Sequence, residues 1–232
     1  MSGPYYPPHV AIPHYEPNTT PLPKLLVQFG AIIAVPVLSL LAGARQRNPA
    51  LKNSISAQLT FCWFALCGFL HLFFEGFYVV HHATLASSQA PFAQAWKEYA
   101  LSDSRYLTSD PFMLCIETLT CLVWGPLCVW TAVSIVRTHG SKGFRGYDTR
   151  HLLQAVVCVG HLYGVALYYG TCHFEETMRG TSYSRPEWIY YWVYYVGFNA
   201  PWVIVPALLL RQSVKVIVHT FRVAEIASRD LE

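Results

Sequence analysis

Five stretches of this sequence are apolar for long enough to cross a bilayer, which takes about 20 residues. They lie near Leu25–Ala44, Ala57–Val80, Phe112–Val136, Leu152–Tyr169 and Ile189–Leu210. The pattern predicts an all-α membrane protein with five transmembrane helices, because a lone chain segment in hydrocarbon must satisfy its own backbone groups. Pro36 falls inside the first stretch and predicts a kink rather than a break, since neighbouring helices re-satisfy the freed carbonyl. Residues 1–24 form a tail rich in proline and tyrosine. They lack the basic start and short apolar centre of a cleaved leader, so an ordered or extended tail is expected. The division is then a tail at 1–24, a five-helix domain at 25–210 and a C-terminal tail at 211–232.

The connections carry lysine and arginine unequally. Lys24, Lys97, Arg105, Arg179 and Arg185 make five on one side of the membrane. Arg45, Arg47, Lys52, Arg137, Lys142, Arg145, Arg150, Arg211, Lys215, Arg222 and Arg229 make eleven on the other. The positive-inside bias therefore predicts a lumenal or external N-terminus and a cytosolic C-terminus. An asparagine sequon at Asn18 sits on the lumenal tail in that orientation. The longest connection, about Val80 to Pro111, holds His81, His82 and the string WKEYALSDSRY. A loop of that length with so many aromatic residues predicts a lid or re-entrant cap over a cavity.

Composition agrees with the membrane assignment: 53% of residues are hydrophobic and 12% charged, against about 25% charged in soluble domains. A net charge of +3 and the absence of a basic run exclude a nucleic-acid partner. Six of the seven cysteines fall in apolar runs, where they read as small core residues rather than a disulfide framework.

Polar residues inside the spans are few and patterned. His71 and Glu75 are four residues apart on one helical face, about 6 Å along the axis. A carboxyl there must face a bundle interior or cavity and pair with something. The third stretch places Glu117, Thr120 and Trp124 on one face, and two carboxyls on different spans point to a shared site. Thr120 taken alone fits a bond back to its own helix. In the fourth stretch Gln154, His161 and Tyr168 recur every seven residues, and His161 reads as a hydrogen-bonded core histidine. In the fifth, Trp188, Tyr191, Tyr195, Asn199 and Trp202 form a seam of aromatic and amide groups. Such a seam either packs against a neighbour or stabilises a cation in a dry cavity. No phosphate loop or nucleophile elbow is present. His71, Glu75 and Glu117 lack an evident further ligand, so no metal is expected.

Several blocks resemble the emopamil-binding proteins, the 3-beta-hydroxysteroid Δ8,Δ7-isomerases. They are CWFALCGFLHLFFEGF on the second span, WKEYALSDSRY on the loop, CIETLTCLVWGP on the third span and GFNAPW on the fifth, with QAVVCVGHLYG matching more weakly. The likeness covers about residues 57 to 210. It implies five helices enclosing a sterol-binding cavity in the endoplasmic reticulum membrane, and often a homodimer. It also implies an enzyme that moves a sterol double bond without cofactor or metal, inhibited by cationic amphiphilic amines. Carried over by block, the site residues are His71, Glu75, Glu117, Thr120, Asn199 and Trp202, with Tyr106 at the cavity edge. Trp124 and Tyr195 join the substrate-binding set by sharing faces with these. In the corresponding chemistry Glu75 and Glu117 exchange protons with the substrate, Thr120 and Asn199 orient the carboxyls, and Trp202 faces the cation. Two features depart from the family: His161 stands where glutamine is expected, and the loop Thr138–Asp148 is long. A non-catalytic sterol- or amine-binding protein of the same fold, a proton-coupled transporter and a structural scaffold are the alternatives. Two intramembrane carboxyls with a histidine argue against the first and third, and the lack of repeated halves against the second.

Overall fold

The structure is a computed structural model and describes residues 3–140 and 147–229, with side chains at 147 and 148 excluded. It is all-helical, with no strand among the described residues. Five helices are long and apolar enough to cross a membrane: α1 Leu22–Arg47, α2 Ile55–His81, α4 Pro111–Thr138, α5 Thr149–Arg179 with a leading turn from Tyr147, and α6 Ile189–Arg229. A short helix, α3 Pro91–Tyr99, lies in the long connection between α2 and α4. All five predicted stretches are helical. The fourth and fifth are longer than predicted because polar residues at their ends extend the helices beyond the apolar run. α6 continues past Leu210 to Arg229 with Arg211, Lys215 and Arg222 along it. Most of the Thr138–Asp148 loop lies outside the described residues.

Helix starts follow local chemistry. Ser54 accepts a hydrogen bond from the Ala57 amide (3.2 Å), and Asp110 accepts one from the Met113 amide (3.0 Å). Proline opens α1, α3 and α4, where its missing N–H is harmless. The end of α1 is tied to α4 through Asn48, whose amide donates to the carbonyls of Val136 (2.8 Å) and His139 (2.9 Å). Pro36 is accommodated inside α1.

The helices pack in the order α1, α2, α4, α5, α6, each against the next. Burial is uneven along that order: 61% of the most apolar window of α2 is buried, against 6% for α1. α2 is therefore the central helix, and α1 presents Val27, Val35 and Leu38 outward, as a lipid-facing helix would. Close approach is made by glycine. A Cβ on Gly125 of α4 would lie 2.9 Å from Leu72 of α2. One on Gly160 of α5 would lie 2.7 Å from the Trp124 ring of α4.

The long connection folds into the predicted cap. Arg105 is buried in a bidentate pair with Asp103 (2.6 and 2.9 Å) and donates to Thr171 on α5 (2.9 Å). Its guanidinium also lies over the rings of Tyr168 (5.3 Å) and Tyr183 (5.2 Å). The tail lies across this cap as a strap. Tyr5 donates to the Lys97 carbonyl (3.0 Å), Asn18 to the Gln94 carbonyl (2.9 Å), and Lys97 to the Glu16 carbonyl (2.8 Å). Burial draws the Lys97 ammonium below its ordinary range, while Glu16 acts the other way. Two apolar clusters result. One holds Tyr5, Tyr78, Trp96, Tyr106, Tyr168 and Tyr195 under the cap, and the other holds Phe61, Phe64, Cys67, Cys128, Ile135 and Val157 at the opposite end.

Gly160→Ala places a methyl against the Trp124 ring and should cost about 1–3 kcal/mol, read as a lower unfolding temperature in detergent micelles. Gly164→Ala, where a Cβ meets nothing within 4 Å, should not lower it.

Candidate active site

Between the two clusters, three helices carry widened π turns: Leu70–Glu75 in α2, Thr120–Trp124 in α4 and Ile189–Gly197 in α6. His71, Glu75, Thr120, Trp124, Tyr191 and Tyr195 all lie in these turns. A π turn spreads its side chains and leaves backbone groups out of register, and such turns concentrate at functional sites. In α2 the Phe74 carbonyl receives the Trp96 indole N–H from the cap (2.9 Å). The sequence carries a trace of these turns. The first two run directly into a glycine and the third ends on one, in FFEGF, LVWGP and YYVGF.

The predicted pair is formed. His71 Nδ1 lies 2.7 and 2.9 Å from the two carboxylate oxygens of Glu75. His71 is 3% exposed and Glu75 14%, so the carboxyl is the wetter end. The other imidazole nitrogen, Nε2, meets Nε2 of His161 at 3.0 Å. Behind it, Cys128 Sγ is 3.8 Å from the same His161 nitrogen. His161 is a core histidine, as its position indicated, yet it bonds directly to the predicted site.

Glu117 is buried and accepts a hydrogen bond from the Tyr106 hydroxyl (2.8 Å). Its carboxyl lies close enough to that of Glu75 for the two to influence each other electrostatically. The structure thus brings His71, Glu75, Glu117 and Tyr106 together from α2, α4 and the cap. Burial, and then the Glu117 carboxyl, hold the Tyr106 phenol well above its ordinary range, so it serves as a neutral donor.

The remaining expected residues surround this centre. Thr120 donates to the Ile116 carbonyl of its own helix (2.8 Å). The Asn199 amide donates to the Tyr195 carbonyl (2.7 Å) and the Tyr99 hydroxyl (2.8 Å). Neither is hydrogen-bonded to a carboxyl among the described residues, because each spends its donor on backbone or phenol. Tyr195 packs on Tyr168 (ring centroids 5.4 Å apart). Trp202 packs on Trp63 (5.4 Å), which in turn lies edge-on to His161 (6.4 Å). Trp124 covers the backbone at Gly160.

Tyr99 escaped the sequence reading, although it stands three residues after Trp96 in the loop block. It links Asn199 to Tyr168, whose hydroxyl is 3.5 Å away. A cavity of about 450 Å³ opens beside Tyr195, lined by Tyr169, Cys172, Tyr191, Ala200 and Val203 among others. Its size is that of a small-molecule pocket. It shares Tyr195 with the site and does not include the carboxyls.

Tyr106→Phe removes the donor to a buried carboxyl and should cost about 1–3 kcal/mol of stability, measurable by thermal unfolding in detergent. Tyr163→Phe, at a ring that is 64% exposed, is the matched control and should leave stability unchanged.

Comparison with known proteins places the chain in a family. The profile of the family described as EXPERA (EXPanded EBP superfamily) matches residues 91–213. The Mus musculus protein named 3-beta-hydroxysteroid-Delta(8),Delta(7)-isomerase is 34% identical over 217 residues, which is 91% of this chain and 87% of its own. An Oryza sativa protein named as a probable isomerase of the same kind is 29% identical over 230 residues, 97% of each chain. An isomeliandiol synthase of Melia azedarach is 35% identical over 153 residues, 66% of each. With that coverage and the profile match, the chain belongs to the EXPERA, or expanded EBP, family.

Proposed function

We propose that this chain is a sterol isomerase that shifts the Δ8 double bond of a 3-beta-hydroxysterol to Δ7. The observation that carries the reading is the pair of electrostatically interacting carboxyls, Glu75 and Glu117, inside a bundle of span-length helices, one held by His71 and the other by Tyr106. Family relatives named as Δ8,Δ7-isomerases support the substrate class.

The reaction needs a proton placed on one face of an alkene and a proton removed nearby. Glu75 donates to carbon 9, and the double bond's electrons leave a tertiary cation at carbon 8. Loss of a proton from carbon 7 gives the new double bond, with Glu117 as acceptor and as the negative group facing the cation. Proton count and charge are restored at the end of the cycle, once a proton passes back from Glu117 to Glu75. His71 holds the Glu75 carboxyl in one orientation and exchanges its proton. Trp124, Tyr195 and Trp202 supply aromatic faces for positive charge, worth about 2 kcal/mol or more once desolvated. Asn199 acts through Tyr99 and Tyr195, fixing that wall. Thr120 keeps the widened turn of α4 in shape and offers an acceptor toward the site. The cavity beside Tyr195 gives the sterol body a place next to this wall.

The protein would act in the endoplasmic reticulum membrane, with the cap lumenal and the basic end of α6 cytosolic, as the charge distribution requires. A cationic amphiphilic amine would occupy the cation's position.

Purified protein incubated with zymostenol in heavy water should yield the Δ7 isomer with one deuterium at carbon 9. Glu75→Gln and Glu117→Gln should each lower turnover by about 10²–10⁴-fold without loss of folding. Near-normal turnover in either variant would exclude its role, and no product from wild type would favour a sterol-binding protein without catalysis. A steroid-like tertiary amine should bind wild type tightly and lose about tenfold or more in affinity in Glu117→Gln, since a lost charged contact of 1.4 kcal/mol or more has that effect. Equal affinities in a direct binding assay would place the cation elsewhere.

A further inference from the structure

Four soft or borderline donors converge behind the carboxyls. The ligand atoms of Cys67, His71 and His161 all lie within 4.8 Å of one another. Cys128 lies beside them, with its sulfur 3.8 Å from His161 Nε2. All four residues are buried, the two cysteines at 0% exposure. Cys67 and His71 come from α2, Cys128 from α4 and His161 from α5, so three helices must pack as they do for the set to exist. The sequence suggested no metal because His71 was considered with Glu75 and Glu117; the structure supplies thiols and a second imidazole instead.

The separations suit a four-coordinate centre. Bonds of about 2.0–2.1 Å to nitrogen and 2.3 Å to sulfur place neighbouring donors about 3.3–3.8 Å apart. The observed separations of 3.0 Å between imidazoles and 3.8 Å between sulfur and imidazole bracket that range. The surroundings fit as well. His71 presents Nε2 to the cluster while its Nδ1 is held by the Glu75 carboxylate, the arrangement that orients metal-bound imidazoles. Among the described residues His161 has hydrogen-bond contacts to His71 and Cys128, and its buried Nδ1 has no partner there.

We propose that Cys67, His71, Cys128 and His161 form a binding site for one zinc-like divalent ion, with a Cys₂His₂ ligand set. Binding exchanges the two thiol protons for the ion. Two thiolates and one divalent cation sum to zero charge, so the complex carries no net charge into the membrane interior. The ion enters past Glu75, whose side chain is part-exposed. Since it occupies His71 Nε2, it fixes the proton on Nδ1 toward Glu75, so the imidazole can no longer exchange a proton with that carboxyl and proton transfer is inhibited. This inhibition rests on the isomerase reading above, whereas the binding site does not.

The test uses full-length protein in detergent, purified through a tag without histidines and stripped with chelator. It is then loaded with Cd²⁺ as the probe and freed of excess ion. Elemental analysis should find about one Cd²⁺ per chain, and thiolate-to-cadmium absorption should appear in the ultraviolet, as four-coordinate thiolate binding requires. Cys67→Ser and Cys128→Ser should each weaken binding by at least about tenfold and keep turnover of the metal-free enzyme. Cys115→Ser, at an exposed thiol outside the set, should bind as wild type does. Turnover on the sterol should fall about tenfold or more on loading and return with chelator. Wild type that holds no Cd²⁺, or serine variants at 67 and 128 that bind it undiminished, would overturn the site. Binding with an unchanged rate would overturn the inhibition alone. A metal-free wild type without turnover would count against the isomerase reading and leave the metal result standing.

Discussion

A carboxyl on a helix surrounded by hydrocarbon has to find its partners within the protein, and this structure is arranged around two such groups. Glu75 has His71 one turn away on its own helix. Glu117 has no partner on its own helix, and the cap reaches in to provide Tyr106. Placing Tyr106 requires the 3₁₀ turn that carries it to be fixed. Arg105, its neighbour in sequence, does so through Asp103 and Thr171. The cap is in turn held by the tail through Tyr5 and Asn18. A chain of polar contacts therefore runs from the first residues of the tail to a carboxyl within the bundle. The cost of leaving that carboxyl unpaired in a dry place is several kcal/mol, which is enough to explain why a loop of this length is ordered.

The central position of α2 follows from the same requirement. A helix carrying a histidine and a glutamate cannot face lipid on that side, whereas α1, with no ionisable residue between Lys24 and Arg45, can. Glycines at 125 and 160 then let α4 and α5 approach until imidazole meets imidazole across them. Close packing in a membrane gains little from the hydrophobic effect and depends on such small residues and on interhelical polar contacts. Both occur in the same layer here.

Much of this was legible before folding. The five spans and the His71–Glu75 pair follow from apolar run lengths and helical spacing, which are local geometry, and the convergence of Glu117 on that pair from the cost of an unpaired carboxyl in hydrocarbon. Residues meeting across helices were harder to read. The Tyr106–Glu117 bond joins the cap to a span, and its family block could place the tyrosine only at a cavity edge. His161 looked like an ordinary buried histidine because its neighbours His71 and Cys128 lie on other spans. Thr120 and Asn199 were expected to orient the carboxyls. In the structure the threonine bonds back to its own helix and the amide bridges a backbone carbonyl and a phenol from the cap.

The widened turns have a consequence for the chain's history. Each π turn adds about one residue to a helix without lengthening it by a full turn, so the segments before and after it differ in phase by about 100°. In α2 this lets Ile55–Phe69 address the later half of α4 while Gly76–His81 addresses the cap and the first turns of α4. A deletion of one residue within Leu70–Glu75 would restore a regular helix and rotate one half against the other. Length changes in membrane spans are ordinarily confined to their ends. Here a single-residue change inside a span would alter the architecture of the site, so the length of α2 through Leu70–Glu75 is as constrained as the identity of its residues.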